Sequence, residues 1–189
     1  KESIFICVVD PGVGGDRPGI IVRANDQWFV GPGNGLFELV LRHAHPTPEI
    51  WQINWQPDNV SPTFHGRDIF APVAAMIANG GKIPGSDKSI DWQRHSDWPD
   101  VLQEVIYIDH YGNAITGIGG NCVKPSFALE ANQVYLNYGE TFTSVPKGQP
   151  FWYVNSNGLV EIAVNQGNAA GLLNLKIGSK VLLCDEAHC

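Results

Sequence analysis

The sequence predicts an α/β N-terminal domain, a mostly parallel sheet flanked by helices, followed by a small all-β domain. Three observations carry this. The first apolar run, Ile4-Phe5-Ile6-Cys7-Val8-Val9, is continuous, the pattern of a strand buried on both faces of a parallel sheet. Helical periodicity is concentrated in the first half of the chain. Residues 82–100 are polar, carry Pro84, Gly85 and Pro99, and show no sustained period, while short strand-like runs dominate beyond them. The domains are therefore set at 1–98 and 99–189.

Taken in order, the first strand stops at Asp10-Pro11-Gly12-Val13-Gly14-Gly15, a Gly/Pro loop. Ile20-Ile21-Val22-Arg23 and Gln27-Trp28-Phe29-Val30-Gly31 pair as strands around an Asn25-Asp26 turn. Asn34-Gly35 opens a helix with Leu36, Phe37, Val40 and Leu41 on one face. A second helix follows His65-Gly66-Arg67-Asp68 and buries Ile69, Phe70, Val73, Ala74 and Ile77; Pro72 is tolerated in its first turn and Gly80-Gly81 stops it. In the second domain, residues 105–109, 133–136, 151–154 and 180–183 read as strands, with one short helix near 169–173.

Composition narrows the function. Among 189 residues, 12 Lys and Arg stand against 19 Asp and Glu, a net charge of −7, which argues against a binder of nucleic-acid phosphates. With 43% hydrophobic and 16% charged residues, the chain builds a core instead of staying disordered. No run reaches the roughly 18 apolar residues of a membrane span, and Lys1-Glu2-Ser3 before a short apolar run lacks a signal-peptide pattern, so a soluble, cytoplasmic protein is expected. Cys7, Cys122, Cys184 and Cys189 form no CxxC pair; Cys7 and Cys184 sit in apolar runs as small hydrophobes, and none is assigned a function. His43 and His45 have a zinc-like H-x-H spacing but precede Pro46 in a loop, a weak metal signal. Gly12-Val13-Gly14-Gly15 lacks the Lys-Ser/Thr of a phosphate loop. Trp51, Trp55, Trp92 and Trp98 lack basic neighbours and read as packing or subunit contacts.

Three loops concentrate polar residues after apolar runs: 10–17, 63–68 and 109–113. Loops that follow strands in an α/β sheet gather at one edge, where ligands bind. Asp10 is either a functional acid or a loop cap, and Arg17 is able to pair with it. His65, just ahead of a helix start, would be kept neutral by the partial positive charge there and so able to hold or accept a proton; a backbone-bonded loop histidine is the alternative.

These loops belong to five separated blocks: Val8-Val9-Asp10-Pro11-Gly12-Val13-Gly14 with Arg17; Pro32-Gly33-Asn34-Gly35-Leu36; Thr63-Phe64-His65-Gly66-Arg67-Asp68 and its helix; Tyr107-Ile108-Asp109-His110-Tyr111-Gly112-Asn113; and Asn155-Ser156-Asn157-Gly158 followed by Glu161-Ile162-Ala163-Val164-Asn165-Gln166. Together they resemble the S-adenosyl-L-methionine (SAM) hydroxide adenosyltransferase family, relatives of the fluorinase and chlorinase. The resemblance implies an N-terminal α/β domain, a barrel-like C-terminal β domain, and a homotrimer with active sites between subunits. Its reaction is attack of water or hydroxide on C5′ of SAM, giving adenosine and L-methionine without metal or cofactor. The family's water-holding trio maps onto Asp10, Arg17 and His65. Asp109 and Asn113 match positions that bind the methionine end or the adjoining adenosine edge, and Tyr111 an aromatic packed on the substrate. Asn155 and Ser156, with the backbone around Asn165 and Gln166, match the lining of the adenine pocket.

The halogenase relatives carry Tyr where this chain has Asp10, and Tyr-Ser where it has His65-Gly66, so water is the expected nucleophile. The resemblance also implies a strand, a Leu-Thr-Asp-Phe-Gly loop and a helix ahead of the position of Lys1, roughly fifty residues. A binding paralogue that cannot complete catalysis, and a metal-dependent hydrolase using Asp10, His65 and Asp109, are the competing expectations.

Overall fold

In the computed structural model, which describes residues 2–184, the chain divides into two compact units, Lys1–Trp98 and Pro99–Cys189. Cys189, with Glu186 and His188, lies outside the described residues.

The first unit is one five-stranded sheet in the order β1-β3-β2-β4-β5, formed by β1 (Ile4–Ile6), β2 (Gly19–Ala24), β3 (Gln27–Pro32), β4 (Glu49–Ile53) and β5 (Gly85–Lys88). The mostly parallel sheet expected from the sequence is corrected here. Only β1 and β3 run parallel, and the three other pairings are antiparallel. The reason is local: Asn25 and Asp26, at φ 50° and 58°, make a two-residue hairpin between β2 and β3, and a connection that short cannot cross over to a parallel neighbour. The continuous apolar run misled because β1 is an edge strand, with Phe5, Ile6, Val8 and Val9 exposed instead of buried on both faces.

Side chains alternate across β2 and make two cores. Ile20, Val22 and Ala24 pack with Phe37, Leu41 and Ile50 under α1 (Glu38–Arg42). Ile21 packs on the other face with Val30, Trp51, Phe70, Val73 and Ala74 of α2 (Ala71–Ala78) and the turn before it. The polar stretch ahead of the boundary at Trp98 is bonded into the unit. Residues 85–88 pair with β4, and Glu38, almost fully buried, accepts bonds from Arg94 Nε and Nη2 (both 2.9 Å), Arg42 Nη2 (3.0 Å) and the His95 amide (3.0 Å). Those donors, Arg94 foremost, hold the Glu38 carboxyl down to about 2.

Within both sheets of the second unit the strands pair antiparallel. β6 (Leu102–Ile108), β7 (Ala114–Gly119), β10 (Pro150–Val154) and β11 (Leu159–Val164) form one sheet in the order β10-β11-β7-β6. β8 (Ala128–Ala131), β9 (Val134–Leu136) and β12 (Val181–Cys184) form another in the order β12-β8-β9. Single bridges join the sheets at both edges, Glu104 to Lys180 and Tyr138 to Trp152. Trp152, Ile118, Leu129, Leu136 and Ile162 form a shared core, with α3 (Ala169–Leu172) set against β11. No helix among the described residues is long and apolar enough to cross a membrane.

Candidate active site

In the first unit two loops are pressed together by glycines. Gly14 has φ +79°, and a Cβ there would lie 2.6 Å from the Pro62 carbonyl oxygen, so only glycine lets the 10–17 loop lie against the 62–65 segment. Gly66 lies almost as close to Val8, where an added Cβ would meet the side chain at 3.1 Å. Asn34 Nδ2 donates to the Val9 carbonyl (2.9 Å) and fixes the chain just ahead of Asp10.

The helix that carries His65 begins with a wide π turn, Gly66–Phe70, before α2. Such turns are uncommon and recur at functional sites. Asp68 ties the turn down by accepting the Ser61 amide (2.8 Å) and pairing with Arg67. The Arg67 hydrogen bond and the Ser61 amide hold its carboxyl at about 2, so it stays ionised.

This scaffold gathers Asp10, Arg17 and His65. Arg17 Nε donates to Asp10 Oδ1 at 2.8 Å, Nη2 pairs with Oδ2, and Nη2 also meets His65 Nδ1 at 2.9 Å. Phe70 backs the guanidinium, its ring centroid 5.3 Å from Cζ. Arginine offers donors only, so Nδ1 accepts and the ring proton of a neutral His65 sits on Nε2. Asp10 and His65 line a cavity of about 480 Å³, together with Val8, Thr63 and Phe64.

The second unit holds a cavity of about 690 Å³ lined by Asp109, Tyr111, Asn113 and Gln166, with Phe142, Tyr153 and Glu161. Asp109 organises its own loop: Oδ1 accepts the Tyr111 and Asn113 amides (2.9 and 2.8 Å) and Oδ2 accepts Asn113 Nδ2 (2.9 Å). Tyr111 is left exposed. Asn155 reaches the cavity only through Glu161 Oε2, to which its Nδ2 donates at 2.8 Å, while its Oδ1 caps the turn by accepting the Asn157 and Leu159 amides. Ser156 is exposed on that turn, and Asn165 turns away to the Val145 carbonyl (2.7 Å); neither lines the cavity.

Glu161, Tyr153 and Phe142 were not singled out as site residues from the sequence. Glu161 is buried on β11, and Tyr153 Oη donates to its Oε1 at 2.7 Å. Burial and then that bond push the Tyr153 hydroxyl well above its ordinary value, so it remains a donor. The available signal was an acid inside the apolar run Leu159-Val160-Glu161-Ile162-Ala163-Val164.

Among the described residues no group of three or more His, Cys, Asp or Glu is arranged to hold a metal ion, and that includes His43 and His45. Among the described residues Cys7 and Cys122 are free thiols.

Strand-end loops bearing a hydrogen-bonded acid, cation and imidazole, on a chain whose second unit carries its own polar cavity, define a two-domain enzyme acting on a small molecule. The family model of the SAM hydroxide adenosyltransferase N-terminal domain matches residues 1–86, and that of the C-terminal domain matches residues 103–182; the chain belongs to this family. A protein named (R)-S-adenosyl-L-methionine hydrolase from Thermus thermophilus is 36% identical over 97% of this chain and 76% of its own length. One of the same name from Salinispora tropica is 34% identical over 95% and 74%. The crystal structure of an uncharacterized conserved protein from Thermotoga maritima superposes with a TM-score of 0.80 at 32% identity, covering 96% of this chain and 76% of that one.

Proposed function

We propose that this protein hydrolyses SAM by attack of water on C5′, giving adenosine and L-methionine. The observation that carries the reading is the Asp10, Arg17 and His65 cluster on the wall of a cavity, in a chain of this family. Arg17 sets a fixed positive charge beside the nucleophile and favours its hydroxide form. Asp10 orients the water and takes its proton, because His65, with Nδ1 engaged by Arg17, presents an Nε2–H that donates. As the C5′–O bond forms, the C5′–S bond breaks and its electron pair passes to sulfur. A sulfonium becomes a neutral thioether, so charge is lost in the transition state and a site shielded from bulk water favours the step.

The second-unit cavity supports a matching role in substrate binding. Asp109 and Glu161 put two carboxylates among the rings of Tyr111, Phe142 and Tyr153, and no Lys or Arg is among its lining residues, which suits a cationic substrate. Asn113 and Gln166 supply polar edges, Asn155 acts by holding Glu161, and Ser156 and Asn165 shape the turns around it. The same reading includes the barrel-like joining of the two sheets, supported by their edge bridges, and a homotrimer that completes each site between subunits. It needs no metal or cofactor.

The test is incubation with SAM in EDTA, without chloride, followed by chromatography. Adenosine and methionine should form at a rate that EDTA does not change, Asp10→Ala should abolish the reaction, and His65→Ala should slow it by about 10²-fold. Absence of adenosine from the unsubstituted protein overturns the proposal, and loss of activity on chelation overturns its metal-free form.

A further inference from the structure

The Asp10, Arg17 and His65 cluster borders two cavities. Besides the one that Asp10 and His65 line, a smaller cavity of about 180 Å³ is lined by Arg17 and His65 with Asn54, Trp55, Gln56 and Ile69. His65 belongs to both walls, and the Asp10 to Arg17 ion pair connects a residue of the first cavity to a residue of the second. Both spaces therefore end at the same cluster.

We infer that the smaller cavity is the water inlet of the hydrolytic site. The inference rests on the proposed reaction. Each turnover consumes one water: its oxygen bonds to C5′, sulfur leaves with the C5′–S electron pair, and one proton must depart. Substrate filling the larger cavity obstructs that side to bulk water, as the chemistry requires, so water needs a second route.

Size fits the assignment. Ligand pockets generally run from about 300 Å³ upward, which the larger cavity meets and the smaller does not. At roughly 30 Å³ per water, the smaller one holds about six waters. Polarity fits as well. Asn54 and Gln56 are exposed, and among the described residues neither side-chain amide has a hydrogen-bond partner, so both remain able to bind water. Trp55 and Ile69 give the space apolar walls, and its charged end is the Arg17 and His65 pair.

The experiment blocks the polar residues with Asn54→Trp and Gln56→Trp, singly and together; both positions are exposed, so the larger side chain displaces solvent instead of core. Adenosine release is measured in H2O and D2O, with melting curves and adenosine affinity as controls for folding. The expected result is a fall in kcat of roughly tenfold at unchanged KM, with a smaller solvent isotope effect on kcat, because delivery of water, which breaks no O–H bond, becomes limiting. Folded variants with unchanged kcat and isotope effect overturn the inference. So does a raised KM at constant kcat, which would make the smaller cavity part of the substrate site. Absence of adenosine from the unsubstituted protein overturns the hydrolase reading and the conduit with it, whereas turnover that the tryptophans leave untouched removes the conduit alone.

Discussion

Arg17 Nη2 stands 2.9 Å from His65 Nδ1 while the same guanidinium grips both carboxylate oxygens of Asp10. The contact selects a tautomer, since a nitrogen facing arginine must accept and the ring proton is left on Nε2. In the proposed reaction it also separates two roles that the sequence left open: Asp10 accepts from water and His65 donates to it.

A donor role for His65 predicts unequal losses from two substitutions. In His65→Gln the side chain keeps a carbonyl oxygen for Arg17 and an N–H for water, whereas His65→Ala keeps neither. Adenosine assays should show a fall in kcat of about 10²-fold for Ala and a loss roughly ten times smaller for Gln. Equal losses would show that His65 acts as the base.

Arg17→Lys preserves charge and removes geometry. A lysine ammonium cannot present the planar fork that spans Asp10 and still reaches Nδ1 of His65. The kcat of this variant should drop by about 10²-fold with KM nearly constant, because the lost interactions act on the developing nucleophile and not on substrate binding. A variant within threefold of the unsubstituted enzyme would show that charge alone suffices.

Local chemistry was legible in the sequence, and long-range consequences were less so. Asn25-Asp26 announced its hairpin because those residues tolerate positive φ. The polar loops at 10–17 and 63–68 fall in one unit and meet, whereas 109–113 belongs to the other unit. The strand Glu49–Ile53 was missed: its neighbouring prolines read as loop, and Trp51 is buried by stacking on Trp28 at 5.6 Å, a partner more than twenty residues away. β5 is polar because it pairs at a sheet edge, so it carries no apolar signature. Glu161 could not be recognised as a cavity acid until Tyr153 and Asn155 were seen to converge on it.

That convergence makes Glu161→Gln informative. Asn155 cannot turn its amide around, because its Oδ1 already accepts two backbone amides. A glutamine at 161 therefore keeps its oxygen for Asn155 Nδ2 and turns its N–H toward Tyr153 Oη, which must accept instead of donating, and it removes a negative charge from the cavity. We expect about a tenfold rise in KM for SAM with kcat changed less than threefold, and a stability loss of about 1–2 kcal/mol in urea titrations. An unchanged KM would assign Glu161 to folding alone.

Glu38 provides a pH test of the first unit that is independent of the chemistry. Its carboxylate joins α1 to Arg94 and the His95 amide, and Arg42, which it also binds, extends to the His95 and Trp98 carbonyls. The folded pKa of about 2 lies below the ordinary 4.5, so the ion network stabilises the fold fully above about pH 4.5. The contribution is lost as pH falls from there toward 2, when protonation costs the folded state more than the unfolded one. Denaturant titrations from pH 7 down to 2.5 should show a decline to which Glu38 contributes about 2 kcal/mol. In Glu38→Gln that component should be missing, and the variant should already be weaker at pH 7, since Arg94 and Arg42 then face a neutral amide. Parallel acid profiles for the two proteins would show that the network draws its strength from packing and not from charge.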